Sequence, residues 1–226
     1  MQLAALLIPL LTMQGGKLQV TDVKVGTGPA AKSGDLLAMD YTGTLLNGKQ
    51  FDSSIGKTPF VFQLGGGMVI KGWDQGVVGM KVGGKRMLVI PADLAYGNQA
   101  MGSDIPANST LKFTIELRGI YKPKIEVLKA GHGDPIKAHE TVSLHFKLSA
   151  GGKVIANSYE KGKPMTLQAG AMQPPMGFFA AFIGLKEGEK VRYLVPWMYG
   201  LGAEARGPIP AKSDLTCEVE VLKVNR

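Results

Sequence analysis

From residue 111 the chain reads Leu-Lys-Phe-Thr-Ile-Glu-Leu-Arg, with apolar and polar side chains taking turns as far as Arg118. A strand points successive side chains to opposite faces, so this period of two predicts a half-buried strand. Lys85–Ile90, Phe60–Leu64, Leu36–Leu46 and Leu18–Val25 carry the same signature less cleanly. Asn47-Gly48, between two apolar runs, predicts a hairpin, because the tight turn that joins twisted strands needs residues tolerant of positive φ. One segment follows the helical period instead: Ile70, Trp73, Val77 and Met80 recur at spacings of three and four, which predicts a short helix over 70–80. Several antiparallel strands wrapped over one short helix make an α+β design.

The same order of elements then returns from Val142 to Val224, with Phe178, Phe182 and Leu185 on the equivalent helix. A shift of 105 residues lays Lys24, Gly26 and Gly28 on Lys129, Gly131 and Gly133, and Pro59, Gln63 and Gly65 on Pro164, Gln168 and Gly170. It also lays Gly79, Lys81, Gly83, Lys85 and Pro91 on Gly184, Lys186, Gly188, Lys190 and Pro196. With small length changes, Tyr96-Gly97 meets Tyr199-Gly200 and Ile105 meets Ile209. A period this long is a whole domain. The expected division is a leader at 1–16 and tandem domains at 17–122 and 123–226, joined at Tyr121–Lys124, where Pro123 cannot donate to a ladder.

Composition fits two globular domains: 226 residues, 45% hydrophobic and 19% charged. The net charge of +8 is spread evenly, twelve Lys and Arg against eight Asp and Glu in 17–122 and fourteen against ten in 123–226. That is a solvated basic surface, not the aromatic-rich basic stripe of a nucleic-acid binder. The lone cysteine, Cys217, excludes an internal disulfide and falls in phase with apolar neighbours, as a buried structural thiol does. Leu3–Leu11 is too short to span a bilayer. It is similar to the core of an export signal, giving a periplasmic or secreted protein, yet it lacks a basic start and an A-x-A cleavage site. The alternative is translation from Met13 and a cytoplasmic protein.

Candidate chemistry is sparse. No G-x-S-x-G elbow is present, and His132, His139 and His145 lack zinc-ligand spacing. Gly79–Lys85 imitates a phosphate loop, but Arg86 replaces the required hydroxyl residue and a strand follows where a helix is needed. What remains is a set of aromatic and aliphatic residues around one acid: Tyr41, Phe51, Asp52, Phe60, Val69, Ile70, Trp73, Tyr96, Ile105 and Phe113. Three strings carry most of them: Tyr41-Thr-Gly-Thr-Leu-Leu-Asn-Gly-Lys-Gln-Phe51-Asp52, then Val69-Ile70-Lys-Gly-Trp73, then Ala95-Tyr96-Gly97. Over residues 18–121 they closely resemble the FKBP-type peptidyl-prolyl isomerases.

The resemblance implies a curved antiparallel sheet over a single helix in each copy, with a shallow apolar bowl between them in the first. It implies that Trp73 is the floor under a proline ring and that Tyr41, Phe51, Phe60, Val69, Ile105 and Phe113 are walls. It implies that the Tyr96 hydroxyl and the Ile70 amide hold substrate carbonyls and that Asp52 sits beside the twisting amide. Proline-containing polypeptides are then the clients and FKBP-directed macrolides the inhibitors, with no metal, cofactor, nucleic acid or membrane span involved. Members of the family often place an arginine after the Phe-Asp pair to hold the aspartate, whereas Lys57 is the cation available here. In the second copy Phe146, Ile155, Ala156, Met165, Pro174-Pro175, Phe178 and Cys217 replace Tyr41, Phe51, Asp52, Phe60, Val69-Ile70, Trp73 and Phe113, leaving only Tyr199 and Ile209. The first copy is therefore expected to be a proline isomerase and the second a degenerate, non-catalytic domain. The other class of function is a pair of peptide-holding modules in a chaperone or assembly factor.

Overall fold

The structure is a computed structural model that describes residues 16–171, 175–207 and 209–225. The expected leader, apart from Gly16, lies outside the described residues. Strands β1 (Gln19–Lys24), β2 (Leu36–Leu45), β3 (Gln50–Ser53), β4 (Phe60–Gln63), β5 (Lys85–Ile90) and β6 (Leu111–Tyr121) form one antiparallel sheet in the order β1-β5-β6-β2-β3, with β4 also paired to β2. Strands β7 (Glu126–Lys129), β8 (Thr141–Ala150), β9 (Lys153–Asn157), β10 (Met165–Gln168), β11 (Lys190–Val195) and β12 (Leu215–Asn225) repeat that order strand for strand. Helix α1 (Lys71–Gly76) lies on the first sheet and α2 (Met176–Phe179) on the second. The chain thus has the expected α+β fold, twice.

All five strands anticipated in the first copy form, with bounds within a few residues. The helix is shorter than its period predicts. Trp73, Val77 and Met80 are buried as the spacing requires, but α1 stops at Gly76. Gly79 then adopts φ 76°, a conformation that glycine tolerates because it has no Cβ, and the chain turns into the next strand. The shortness of α1 has a second glycine cause. A Cβ on Gly72 would fall 2.3 Å from the Ile90 side chain, and one on Gly76 would fall 2.7 Å from Leu88.

β2 opens Leu36-Leu37-Ala38-Met39, four buried residues in a row. Leu37 and Met39 pack into the core of the first domain with Phe62, Leu88 and Ile115. Leu36 and Ala38, on the opposite face, belong to the core of the second domain together with Tyr121. A strand covered on both faces loses its polar alternation. Tyr121, anticipated as part of a simple joint, stacks on Tyr199 at 5.1 Å, and its hydroxyl donates to the Leu194 carbonyl at 2.9 Å. Close by, the Ala203 amide donates to Thr58 Oγ1 at 2.9 Å. Cys217 is wholly buried in the second core, and burial pushes its thiol up to about 12, as a structural thiol requires.

The two stacked tyrosines differ in one respect. The Tyr199 hydroxyl is buried with no hydrogen-bond partner among the described residues, whereas that of Tyr121 is satisfied. Tyr121→Phe should therefore lower unfolding free energy by about 1 kcal/mol, the net value of one hydrogen bond. Tyr199→Phe should be neutral or slightly stabilising, since it removes an unpaired buried polar group. Urea unfolding of the two variants checks this, and equal losses would show that the Tyr199 hydroxyl is paired after all.

Candidate active site

The bowl is built upward from Trp73. α1 faces the concave side of the sheet, and its indole is 3% exposed. Four aromatic rings meet it edge to face: Tyr41 and Phe113 at 5.3 Å, Phe62 at 5.7 Å and Phe60 at 6.0 Å. Phe51 stands against Phe113 at 5.6 Å. T-shaped contacts set the positive ring edge on the negative ring face, which favours this geometry over flat stacking. The rings can fold down so closely because Gly43 lies beneath them. A Cβ there would be 2.6 Å from Phe51 and 2.8 Å from Phe113.

The result is an open cavity of about 430 Å³ lined by Tyr41, Phe51, Asp52, Phe60, Gly67, Met68, Val69, Ile70, Trp73, Tyr96 and Phe113. It brings together every residue singled out in the sequence except Ile105. That side chain is buried in the core cluster and does not line the cavity. Gly67 and Met68 had no signal of their own. Their loop is held by Asp74 of α1, whose carboxylate accepts the Gly65 amide at 2.8 Å and the Gly67 amide at 3.3 Å. An acid one residue after the floor tryptophan, facing a Gly-Gly-Gly loop, was the clue available.

Polar groups also line the cavity. The Tyr41 hydroxyl donates to Asp52 Oδ2, and the Ser53 amide donates to Asp52 Oδ1 at 2.7 Å. Lys57, the cation available near the aspartate, forms no ion pair with it among the described residues. Its Nζ donates instead to the Ser53 carbonyl at 3.0 Å, because that acceptor lies one helical-turn spacing back along the loop. Ile70 precedes α1 in extended conformation (φ −60°, ψ 148°), and its amide is not used by the chain among the described residues. Burial raises the Tyr96 phenol above its ordinary range, with the Asp52 charge adding to it. Tyr41 is raised further, first by burial and then by the hydrogen bond to Asp52. Both phenols are therefore firmly protonated donors.

The sequence profile of the FKBP-type peptidyl-prolyl cis-trans isomerase family matches residues 28–118 and again 133–222. The chain belongs to this family. FK506-binding protein 2 of Dictyostelium discoideum is 62% identical over 90 residues, which are 39% of this chain and 68% of that protein. FK506-binding protein 4 of the same organism is 54% identical over 107 residues, 47% of this chain and 29% of that protein. The crystal structure of AtFKBP13 shares 46% identity over 46% of this chain and 93% of that one, with a TM-score of 0.43. The chain thus spans about two thirds of the length of the first relative and under a third of the second.

The second FKBP-type domain keeps the scaffold and changes the site. Leu148 pairs with Ala156 and Cys217 in the register in which Gly43 pairs with Asp52 and Phe113. A side chain thus stands where the first domain needs none, with smaller groups around it. Pro175 occupies the Ile70 position, extended and without an N–H; Pro174 lies outside the described residues. One sequence expectation is overturned. Tyr199 is not the counterpart of Tyr96. Ala95 (φ −117°, ψ −114°) matches Gly200 (φ −114°, ψ −110°), and the bond from the Gly97 amide to the Ala92 carbonyl matches that from Gly202 to Trp197. The 105-residue shift therefore holds here, and it puts Leu201 at the Tyr96 position and Tyr199 at that of Leu94. Two Tyr-Gly pairs invited a match that the backbone does not make.

All six tyrosines, Tyr41, Tyr96, Tyr121, Tyr159, Tyr193 and Tyr199, are raised above the ordinary phenol value, in each case first by burial. The folded state then keeps phenol protons that the unfolded chain gives up near pH ~10. This stabilisation is complete below that pH and is lost as pH rises through and beyond it. Alkaline titration should show phenolate absorbance and loss of near-ultraviolet circular dichroism in one transition above pH ~10. Ionisation of most tyrosines well before structure is lost would contradict the burial described.

Proposed function

We propose that the first domain accelerates rotation about X–Pro bonds in unfolded or flexible polypeptides, by binding the twisted amide in the bowl. The observation that carries this reading is a ring-lined cavity around a buried Trp73, with Asp52, Tyr41, Tyr96 and Ile70 also in its lining. Rotation is slow because it sacrifices amide resonance, with a barrier of roughly 18–20 kcal/mol. No bond breaks, so no nucleophile is called for. The rotated amide is less polar across C–N than the planar one and leaves water more cheaply. A cavity that accepts it better than the planar form lowers the barrier, tenfold in rate for each ~1.4 kcal/mol.

In this reading the proline ring rests on Trp73 between Tyr41, Phe60 and Phe113. The Tyr96 hydroxyl and the Ile70 amide hold the flanking carbonyls. Asp52 orients the site electrostatically, itself fixed by Tyr41 and Ser53. FKBP-directed macrolides would compete for the same cavity. The second domain, with Ala156, Pro175 and Leu201 in place of the acid, the amide donor and the phenol, is proposed to be non-catalytic. Its hydrogen bond to Thr58, two residues from the Phe60 wall, supports a role in holding a second stretch of a long client and raising its local concentration.

Asp52→Ala, Tyr96→Phe and Trp73→Phe are expected to lower kcat/KM on a short X–Pro peptide, at least two of them by more than about threefold, a differential loss above ~0.6 kcal/mol. Peptide exchange measured by NMR, with unfolding curves to confirm that each variant is folded, provides the check. If three folded variants match the parent, the catalytic assignment is wrong.

A further inference from the structure

The bowl is not the only depression on this face. A groove of about 520 Å³ runs beside β3, bordered by Thr42, Gln50, Ser53, Ile55 and Lys57. Phe51 and Asp52 line both depressions, so the two meet at the carboxylate. The groove differs in character from the bowl. Its border is mostly polar, and Lys57 supplies its cation.

Lys57 stands in the groove outside the ion pairs that engage several other cations of its domain. Lys49 is paired with Asp104, Arg86 with Asp22, and Arg118 with Glu116 and Asp40. Among the described residues Lys57 has no carboxylate within ion-pair distance, and its contact is with the Ser53 carbonyl. An ammonium carries three donors, so two remain for a ligand. Asp52 already receives the Tyr41 hydroxyl and the Ser53 amide, which answers part of its charge at the mouth of the groove.

We propose that this groove receives the client residues on the N-terminal side of the X–Pro pair, and that Lys57 makes it select an acidic side chain there. The inference rests on the isomerase reading of the bowl. With the proline ring on Trp73, the rotating bond lies on the N-terminal side of the ring, beside Asp52. The chain that continues past Asp52 then enters the groove, where Thr42 and Gln50 offer hydrogen bonds to its backbone and Lys57 faces its side chain. Lys57 is thus a specificity-determining residue rather than a holder of the aspartate.

The test uses the full chain and three blocked peptides, Glu-Leu-Pro, Gln-Leu-Pro and Lys-Leu-Pro, with exchange rates followed by NMR. An exposed ion pair predicts a kcat/KM ratio of Glu over Lys peptide of about two- to fivefold at low salt. That ratio should fall towards unity in ~1 M salt, where the screening length is about 3 Å. Because the chain carries a net charge of +8, acidic peptides are favoured in general. The ratio is therefore compared within each variant. Lys57→Gln should reduce it and Lys57→Glu should invert it, whatever either does to the overall rate. A ratio of one in the parent at low salt, or a parental ratio kept by both variants, overturns the proposal. Turnover of Gln-Leu-Pro by the parent keeps these outcomes separate from failure of the isomerase reading, since its absence would sink both.

Discussion

The close approach of α1 to β5 sets the position of the floor of the bowl. The helix has six residues, no side-chain cap and a glycine at each point where it presses on the sheet. A helix this short is not stable by itself, so packing must hold it. Bare backbone at Gly72 and Gly76 lets it sit against Ile90 and Leu88 and deliver Trp73 into the concave face, where four rings converge on the indole. The second domain retains this constraint although its site residues differ. Gly177 is pressed on Val195 as Gly72 is on Ile90, with a Cβ there falling 2.3 Å from the valine. The scaffold needs the glycine. Only the site needs the tryptophan, the acid and the phenol.

Catalysis in such a cavity depends on what is withheld from the substrate as much as on what is offered. The walls Phe60 and Phe113 carry no hydrogen-bonding side chain, and the indole N–H of Trp73 is buried without a partner among the described residues. Donors stand at the edge, on protonated phenols kept so by burial and by a neighbouring carboxylate. Tyr41 serves twice, as a ring against Trp73 and as the hydroxyl that fixes Asp52. In the second domain Phe146 keeps the ring and loses the hydroxyl. The same sheet position thus separates packing from electrostatics.

The second domain also packs on the first. The first domain's β2 buries one face in its own core and the other under the second domain, and Tyr121 of β6 contributes to the partner core through a stack and a hydrogen bond. The two domains are therefore not independent beads on a linker. The contact of Thr58 with Ala203 places part of the second domain one residue from Pro59 and two from the Phe60 wall.

The strands, the tandem organisation and most of the bowl could be read from the residues, because alternation, turn chemistry and a contiguous motif are local properties of a chain. β5 runs from Lys85 to Ile90 as its alternation requires, and Tyr41, Phe51, Asp52, Trp73 and Tyr96 converge as their motifs imply. Other features were settled only by segments meeting across the fold. Leu36–Met39 lost its alternation because a second domain covers the outer face, which no period within β2 can encode. Lys57 turned to a backbone carbonyl rather than to Asp52, whose partners came from β2 and from its own neighbour. Ile105 went to the core, and Met68 came to the rim because Asp74 reaches back to its loop. The match of Tyr199 to Tyr96 failed for the same reason. A dipeptide repeats easily, but the position of a side chain follows the backbone that carries it, and that backbone is fixed by its hydrogen bonds to the rest of the turn.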